Sequence, residues 1–203
     1  MNKPLLFIDF YGTLNSGKFW SSLDEPTHPW HGRRRPIEAF LFRDNAPLVD
    51  DWMRGKHTSE DIHHIIASEF QLDFKMLFEI FKNDCQKLFI EQRHLAAIEK
   101  LKSKYTVILS TDNMDSFDRF TLPAQPRVAK VFDAIHNSFN WRMLKLDNDG
   151  TYFKQALAEA GADFRDCILI DDIDKICNLF EKLGGRAFRV NGVGEAARIL
   201  NSL

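Results

Sequence analysis

Short apolar runs that end abruptly in acids or hydroxyls recur along this chain, separated by stretches of helical periodicity. The first is Leu5 to Ile8, stopped by Asp9, and the second runs from Tyr105 to Ser110, stopped by Thr111-Asp112-Asn113. A weaker run covers Ala134 to His136, a fourth runs from Cys167 to Ile170 before Asp171-Asp172, and a fifth from Ala187 to Val190. Runs of this length without polar alternation read as strands buried on both faces. Helical patterns lie between and after them at 94–102, 153–160, 173–183 and 195–203. Thr151 or Asp149 is placed to cap the second helix, and Gly184-Gly185 to end the third. Alternating strands and helices predict a doubly wound α/β domain, a parallel sheet covered by helices on both faces.

One interval breaks the alternation. The first two strands are separated by roughly 90 residues, too many for a single crossover. Their pattern is helical: Pro47 to Met53; a Thr58–Asp61 capping box opening a helix with Ile62, Ile65 and Ile66; and Asp73 capping Phe74 to Cys85. The expected organisation is an α/β core formed by 1–16 and 91–203, with a small helical cap domain at 17–90. Within the cap, Ser21 to Arg35 reads as irregular.

Composition limits the partners. Lys and Arg number 27 against 29 Asp and Glu, a net charge of -2, so no broad positive field recruits nucleic acid or an acidic membrane. The Leu5–Ile8 run is far too short for a signal peptide or a spanning helix. Cys85, Cys167 and Cys177 are too scattered for a disulfide framework and read as small buried residues. A cytoplasmic protein acting on a small molecule is the expectation.

Ligands of open α/β sheets bind at the carboxyl ends of the strands. Those ends carry Asp9, Thr111-Asp112-Asn113 and Asp171-Asp172. Acids converging from separate strands repel one another unless a cation lies among them, and an all-oxygen donor set suits Mg²⁺ rather than zinc.

The sequence Leu6-Phe7-Ile8-Asp9-Phe10-Tyr11-Gly12-Thr13-Leu14 resembles the first motif of the haloacid dehalogenase (HAD) superfamily. Val107 to Thr111 is similar to its second motif, Leu144-Lys145 to its third and Ile168 to Asp172 to its fourth, all in the family's order. The resemblance implies a HAD-like fold with a helical cap and a hydrolase using Asp9 as nucleophile on a small phosphorylated substrate. It further implies Mg²⁺ held by Asp9, the Tyr11 carbonyl and the Asp171-Asp172 pair. Lys145 would offset charge, Thr111 would supply the second-motif hydroxyl in preference to Ser110, and Gly12, Thr13, Asp112 and Asn113 would surround the substrate. Lys154 is the weaker alternative to Lys145.

Tyr11 departs from the phosphatase pattern, which has a second Asp there as general acid and base. A phenol with a pKa near 10 stays protonated at neutral pH and is a poor base. The haloacid dehalogenases carry Tyr-Gly-Thr at this motif, since halide leaves without a proton, so hydrolysis of a 2-haloacid is the alternative activity. A catalytically weak ligand-binding protein of the same fold is the third reading. Ile173 and Ile176 stand where many relatives carry Ser and Asn. Arg33-Arg34-Arg35 reads first as a solvated loop and second as an anion fork, His63-His64 as surface or half-buried, and Phe19-Trp20 as part of a pocket wall.

Overall fold

The computed structural model describes residues 3–203. Five strands form one sheet: β1 (Leu5–Ile8), β2 (Thr106–Thr111), β3 (Ala134–Asn137), β4 (Ile168–Asp171) and β5 (Arg186–Arg189). Their spatial order is β3-β2-β1-β4-β5, and every neighbouring pair is parallel. The chain winds outward from β1 in one direction and then, through β4 and β5, in the other. The topological switch therefore falls between β1 and β4, where the ends of the strands leave a crevice.

Helices α1 (Arg34–Glu38), α2 (Ala46–Met53), α3 (Ser59–Phe70) and α4 (Phe74–Cys85) occupy the segment between β1 and β2. Then come α5 (Gln92–Leu101), α6 (Val128–Val131), α7 (Ser138–Trp141), α8 (Thr151–Ala160), α9 (Asp174–Lys182) and α10 (Val193–Ser202). Strand alternation divides the core into two layers. Leu5 and Phe7 of β1, with Ile108 and Leu169, pack on Tyr152, Phe153, Ile176 and Phe180 of α8 and α9. Leu6 and Ile8, with Leu109 and Ile170, face the opposite side, against α5, α10 and the inserted helices.

The insertion shares that second layer, with Trp20, Trp52, Ile62 and Phe81 continuous with the sheet residues. Its two ends are tied by one side chain. Asn15 donates from Nδ2 to the Phe89 carbonyl at 2.8 Å and accepts from the Gly17 N–H at 2.8 Å. Farther along, the buried Asp115 carboxylate accepts from Trp52 Nε1 at 3.0 Å and Ser59 Oγ at 2.6 Å.

The Thr58–Asp61 capping box forms as its sequence implies, the Thr58 side chain taking the Asp61 N–H and Asp61 taking that of Thr58. Asp73 likewise caps α4 through the Met76 N–H. Three expectations need correcting. Neither Thr151 nor Asp149 caps α8; Gly150 holds that position with φ 77°, and the Thr151 hydroxyl donates back to Asn148. The stretch at 21–35 is not wholly irregular, because Ser21–Asp24 makes a 3₁₀ turn and Arg34 opens α1. His63 is fully buried: its neutral ring accepts from Trp20 Nε1 at 3.1 Å and donates from Nδ1 to the Ser59 carbonyl. His64 instead stacks on Phe74. All three cysteines are buried and free, as their composition implied. No helix among the described residues is long and apolar enough to cross a membrane.

Candidate active site

Parallel register sets the site. Ile8 pairs with Leu109 and with Ile170, so one step further Asp9 stands between Ser110 and Asp171. The Asp9 N–H donating to the Ile170 carbonyl at 2.9 Å continues the ladder to that point. Because side chains alternate, Asp9, Ser110 and Asp171 extend the layer of Phe7, Ile108 and Leu169. Thr111 falls on the opposite side with Phe10. The structure thus separates Thr111 from Asp9 and brings Ser110 to it, reversing the preference drawn from the sequence.

Lys145 lies on the turn between α7 and α8 and is 1% exposed. Its Nζ donates to Asp9 Oδ1 and to Asp171 Oδ2, both at 2.7 Å. Lys154 is exposed and takes no part. Asp171 is further fixed by the Ile173 N–H, which donates to Oδ1 at 2.9 Å, so Ile173 supports this carboxylate through its backbone. The Lys145 N–H donates to Asp112, holding backbone and ammonium between acids of three strand ends.

Burial pushes the Asp9 carboxyl up to about 8, Lys145 opposing and Asp171 and Asp172 adding to the rise. Burial likewise moves Asp112 up to about 6. Desolvation acts to lower the Lys145 ammonium, but Asp171, Asp9 and Asp112 together outweigh it and hold the group charged, well above the ordinary lysine value. Asp172 is half-buried, and burial raises it too. Its carboxylate packs over Gly12, where an added Cβ would come within 2.2 Å of Oδ2 and where φ is 82°. Only glycine accommodates both demands. Thr13 is buried beside it, with a hydroxyl that has no hydrogen-bond partner among the described residues.

Ser110 ends a directed chain that the sequence did not reveal. Tyr152 Oη donates to Ser110 Oγ at 2.8 Å. Burial lowers His136 to about 4, leaving the ring neutral. With the phenol proton committed to Ser110, the 3.2 Å contact between His136 Nδ1 and Tyr152 Oη has the imidazole as donor. Each proton points toward the strand ends, and the Ser110 proton is left for a visiting oxygen. An aromatic at the first turn of a helix after Gly150 is the available signal; its pairing with Ser110, 42 residues away, is not visible in sequence.

Above these ends lies a cleft of about 680 Å³ between the insertion and the sheet, lined on the sheet side by Tyr11, Asp112, Asn113 and Met114. The Tyr11 ring stacks on Phe19 with centroids 5.9 Å apart and is 40% exposed, a wall of the cleft rather than a packed core residue. Burial, with Glu38 nearby, raises its phenol above the usual value. Trp20 is wholly buried and does not line the cleft. The insertion reaches the Lys145 turn directly. Arg54 clasps Asp147 through two bonds of 2.8 and 2.7 Å, and Asp147 accepts the Leu144 N–H. Ser138 donates to the Met53 carbonyl, and Arg142 to that of Gly55.

The residues fit a magnesium ion by donor chemistry and charge. Asp9, Asp112 and Asp171 gather around the buried ammonium of Lys145. Asp9 Oδ2 takes no hydrogen bond among the described residues, and the Phe10–Asn15 loop pairs through Phe10 and Gly12, leaving the Tyr11 carbonyl unengaged. No cage of three acidic, His or Cys side chains forms among the described residues. Two carboxylates with one carbonyl still suit Mg²⁺, which keeps much of its water. Asp172, turned onto Gly12, is the acid of the expected set that lies apart.

These features define a HAD-like α/β fold. Comparison with solved structures places the chain beside a HAD family enzyme from Bacteroides thetaiotaomicron, in its magnesium complex. The two share 19% identity over 96% of each chain, with a TM-score of 0.72. A HAD-like family hydrolase from Porphyromonas gingivalis gives the same TM-score at 16% identity over 98% of each chain. A 2-haloacid dehalogenase from Pseudomonas syringae pv. Tomato DC3000 follows at 0.63 and 16%, covering 93% of this chain and 86% of its own. Neither protein-family profiles nor curated proteins returned a match. At these identities the likeness establishes the fold.

Proposed function

We propose that this protein is a magnesium-dependent hydrolase of small phosphorylated molecules, with Asp9 as nucleophile and the insertion acting as a cap over the cleft. The observation that carries the reading is the Lys145 ammonium held between Asp9 and Asp171 at 2.7 Å from each. That arrangement aims one carboxylate outward from the switch point and offsets charge where an anion would approach an anion. The Bacteroides neighbour in complex with magnesium and inorganic phosphate is compatible with it.

Asp9 attacks phosphorus, the bond to the leaving oxygen breaks with its electron pair, and water then hydrolyses the aspartyl phosphate to regenerate the carboxylate. Ser110 and backbone N–H groups bind the phosphoryl oxygens. Lys145 holds Asp9 in place and offsets the charge that accumulates. Asp9 Oδ2, the Tyr11 carbonyl and Asp171 would hold Mg²⁺, which supplies charge neutralisation when bound. The substrate is a small molecule met in the cytoplasm, and the cleft carries no nucleic-acid-binding surface in this reading.

Phosphate release from a panel of phosphomonoesters and acyl phosphates, with Mg²⁺ and with chelator, tests the proposal. Turnover that needs Mg²⁺ and disappears in Asp9→Asn is expected; an Asp9→Asn protein as active as the parent would refute it. Tyr11 favours a second reading, hydrolysis of a 2-haloacid, since its phenol is a poor base. Chloride release from 2-chloropropionate that survives chelation would select it. Ligand binding with no turnover of either kind would leave the binding-protein reading.

A further inference from the structure

The cleft is much larger than a phosphoryl group, and its lining divides by chemistry. Its walls are apolar and partly aromatic: Tyr11 stacked on Phe19, with Phe42, Val49, Met53 and Met114. Tyr11 and Phe42 are 40% and 42% exposed, two of the few large apolar side chains left open on the molecule. A volume of about 680 Å³ lies within the range that encloses an organic ligand of moderate size. Flat apolar surface of this kind takes a planar apolar body by stacking and area burial.

The cations lining the cleft are not equivalent. Arg34 is buried and committed, with Nε to Asp24 at 2.6 Å and Nη1 to Glu38 at 2.5 Å. Arg43 is paired with the adjacent Asp44. Lys18 and Arg35 also line the cleft, yet neither makes an ion pair among the described residues. Glu38 is already engaged by Arg34, and Asp112 lies at the inner end beside Lys145. Among the described residues, these two exposed cations of the cleft therefore meet no anion of the protein.

The leaving group is constrained by a third observation. Tyr11 brings an aromatic phenol, not a carboxylate, to the cleft wall two residues from Asp9, and a phenol is a poor acid–base partner for a strongly basic alkoxide. An aryl oxygen leaves as a phenolate, a far weaker base, and needs little assistance.

We propose that the cleft selects an aryl phosphate whose ring carries a second anionic group, a carboxylate or a further phosphate, with the ring against Tyr11 and the anion met by Lys18 and Arg35. This rests on the hydrolase reading above and narrows its substrate class. The reaction balances as phosphate monoester plus water giving phenol and inorganic phosphate. One proton of the water ends on the phenol oxygen and its oxygen on phosphorus.

Binding can be separated from turnover with phosphonates, which the protein cannot hydrolyse. Calorimetric titration of the full chain in Mg²⁺ with methylphosphonate, phenylphosphonate and 4-phosphonobenzoate reads each feature in turn. Phenylphosphonate is expected to bind about tenfold more tightly than methylphosphonate through ring burial. 4-Phosphonobenzoate is expected to gain about another tenfold from a charge-assisted contact. The Lys18→Ala/Arg35→Ala double variant loses the second gain and keeps the first. Equal affinity for the two aryl phosphonates, a preference that persists in the double variant, or no binding of either, overturns the proposal. The hydrolase reading fails differently: no phosphate is released from 4-carboxyphenyl phosphate while the affinity ladder stands.

Discussion

Replacing Lys145 by Met removes the ammonium from between Asp9 and Asp171 while keeping most of the side-chain volume. Both carboxylates are nearly inaccessible, at 6% and 0% exposure, and each loses a 2.7 Å charge-assisted bond. Breaking a buried pair by removing one partner costs about 3–5 kcal/mol, because the charge left behind is uncompensated. For a chain of this length that corresponds to a fall in Tm of roughly 6–20 °C. The cost has a sign in pH. Burial already raises Asp9 and Asp112 in the parent, and Lys145 opposes that rise. With the cation gone the folded acids bind protons more readily still, so the variant regains more stability than the parent as pH falls toward the unfolded carboxylate values. Mg²⁺ should also stabilise the variant more than the parent, since the excess of negative charge is greater. Denaturant titrations at two pH values, with and without Mg²⁺, measure all three effects. A Lys145→Met protein within about 1 kcal/mol of the parent at neutral pH, and indifferent to acid and Mg²⁺, would refute the electrostatic account of the site.

Two further outcomes are expected. Burial lowers His63 from 6.5 to about 4, so its neutral form stabilises the fold fully above the unfolded value and that contribution is lost as pH falls from about 6.5 to 4. The loss amounts to as much as roughly 3 kcal/mol; urea titrations should show a shallower slope over that window in His63→Gln, and an unchanged slope would rule the residue out. Tyr152→Phe frees the Ser110 hydroxyl to rotate; kcat on a phosphomonoester should fall about tenfold with little change in KM. A rate equal to the parent's would show that the Tyr152 bond does not orient Ser110.

The ends of β1 and β4 were legible because each is announced locally, by an apolar run and the acid that stops it. The same holds for the α3 and α4 caps, where Thr58–Asp61 and Asp73–Met76 lie within one turn. Lys145 was legible only through the resemblance, since its 136-residue separation from Asp9 leaves no local trace. The choice between Ser110 and Thr111 depends on strand register, a one-residue matter that reverses the face of every side chain. Arg34 and His63 carry the sequence marks of surface residues, yet Asp24 and Glu38 neutralise the first and Trp20 and Ser59 satisfy the second. Glu38 and Ser59 lie one turn away on the same helices, but the other partner of each, Asp24 and Trp20, comes from outside the helix and leaves no local mark.

The clasp of Arg54 on Asp147 has a mechanical consequence. The stretch Met53–Gly55 is moored at Ser138, Arg142 and Asp147, and the last of these also holds the turn on which Lys145 rides. Helices swinging outward to admit a visitor would tug on these moorings and slacken the seat of the ammonium. On the proposed reading, admission and electrostatic readiness would be opposed postures of one hinge, with Asp9 and Lys145 best seated when the insertion lies closed.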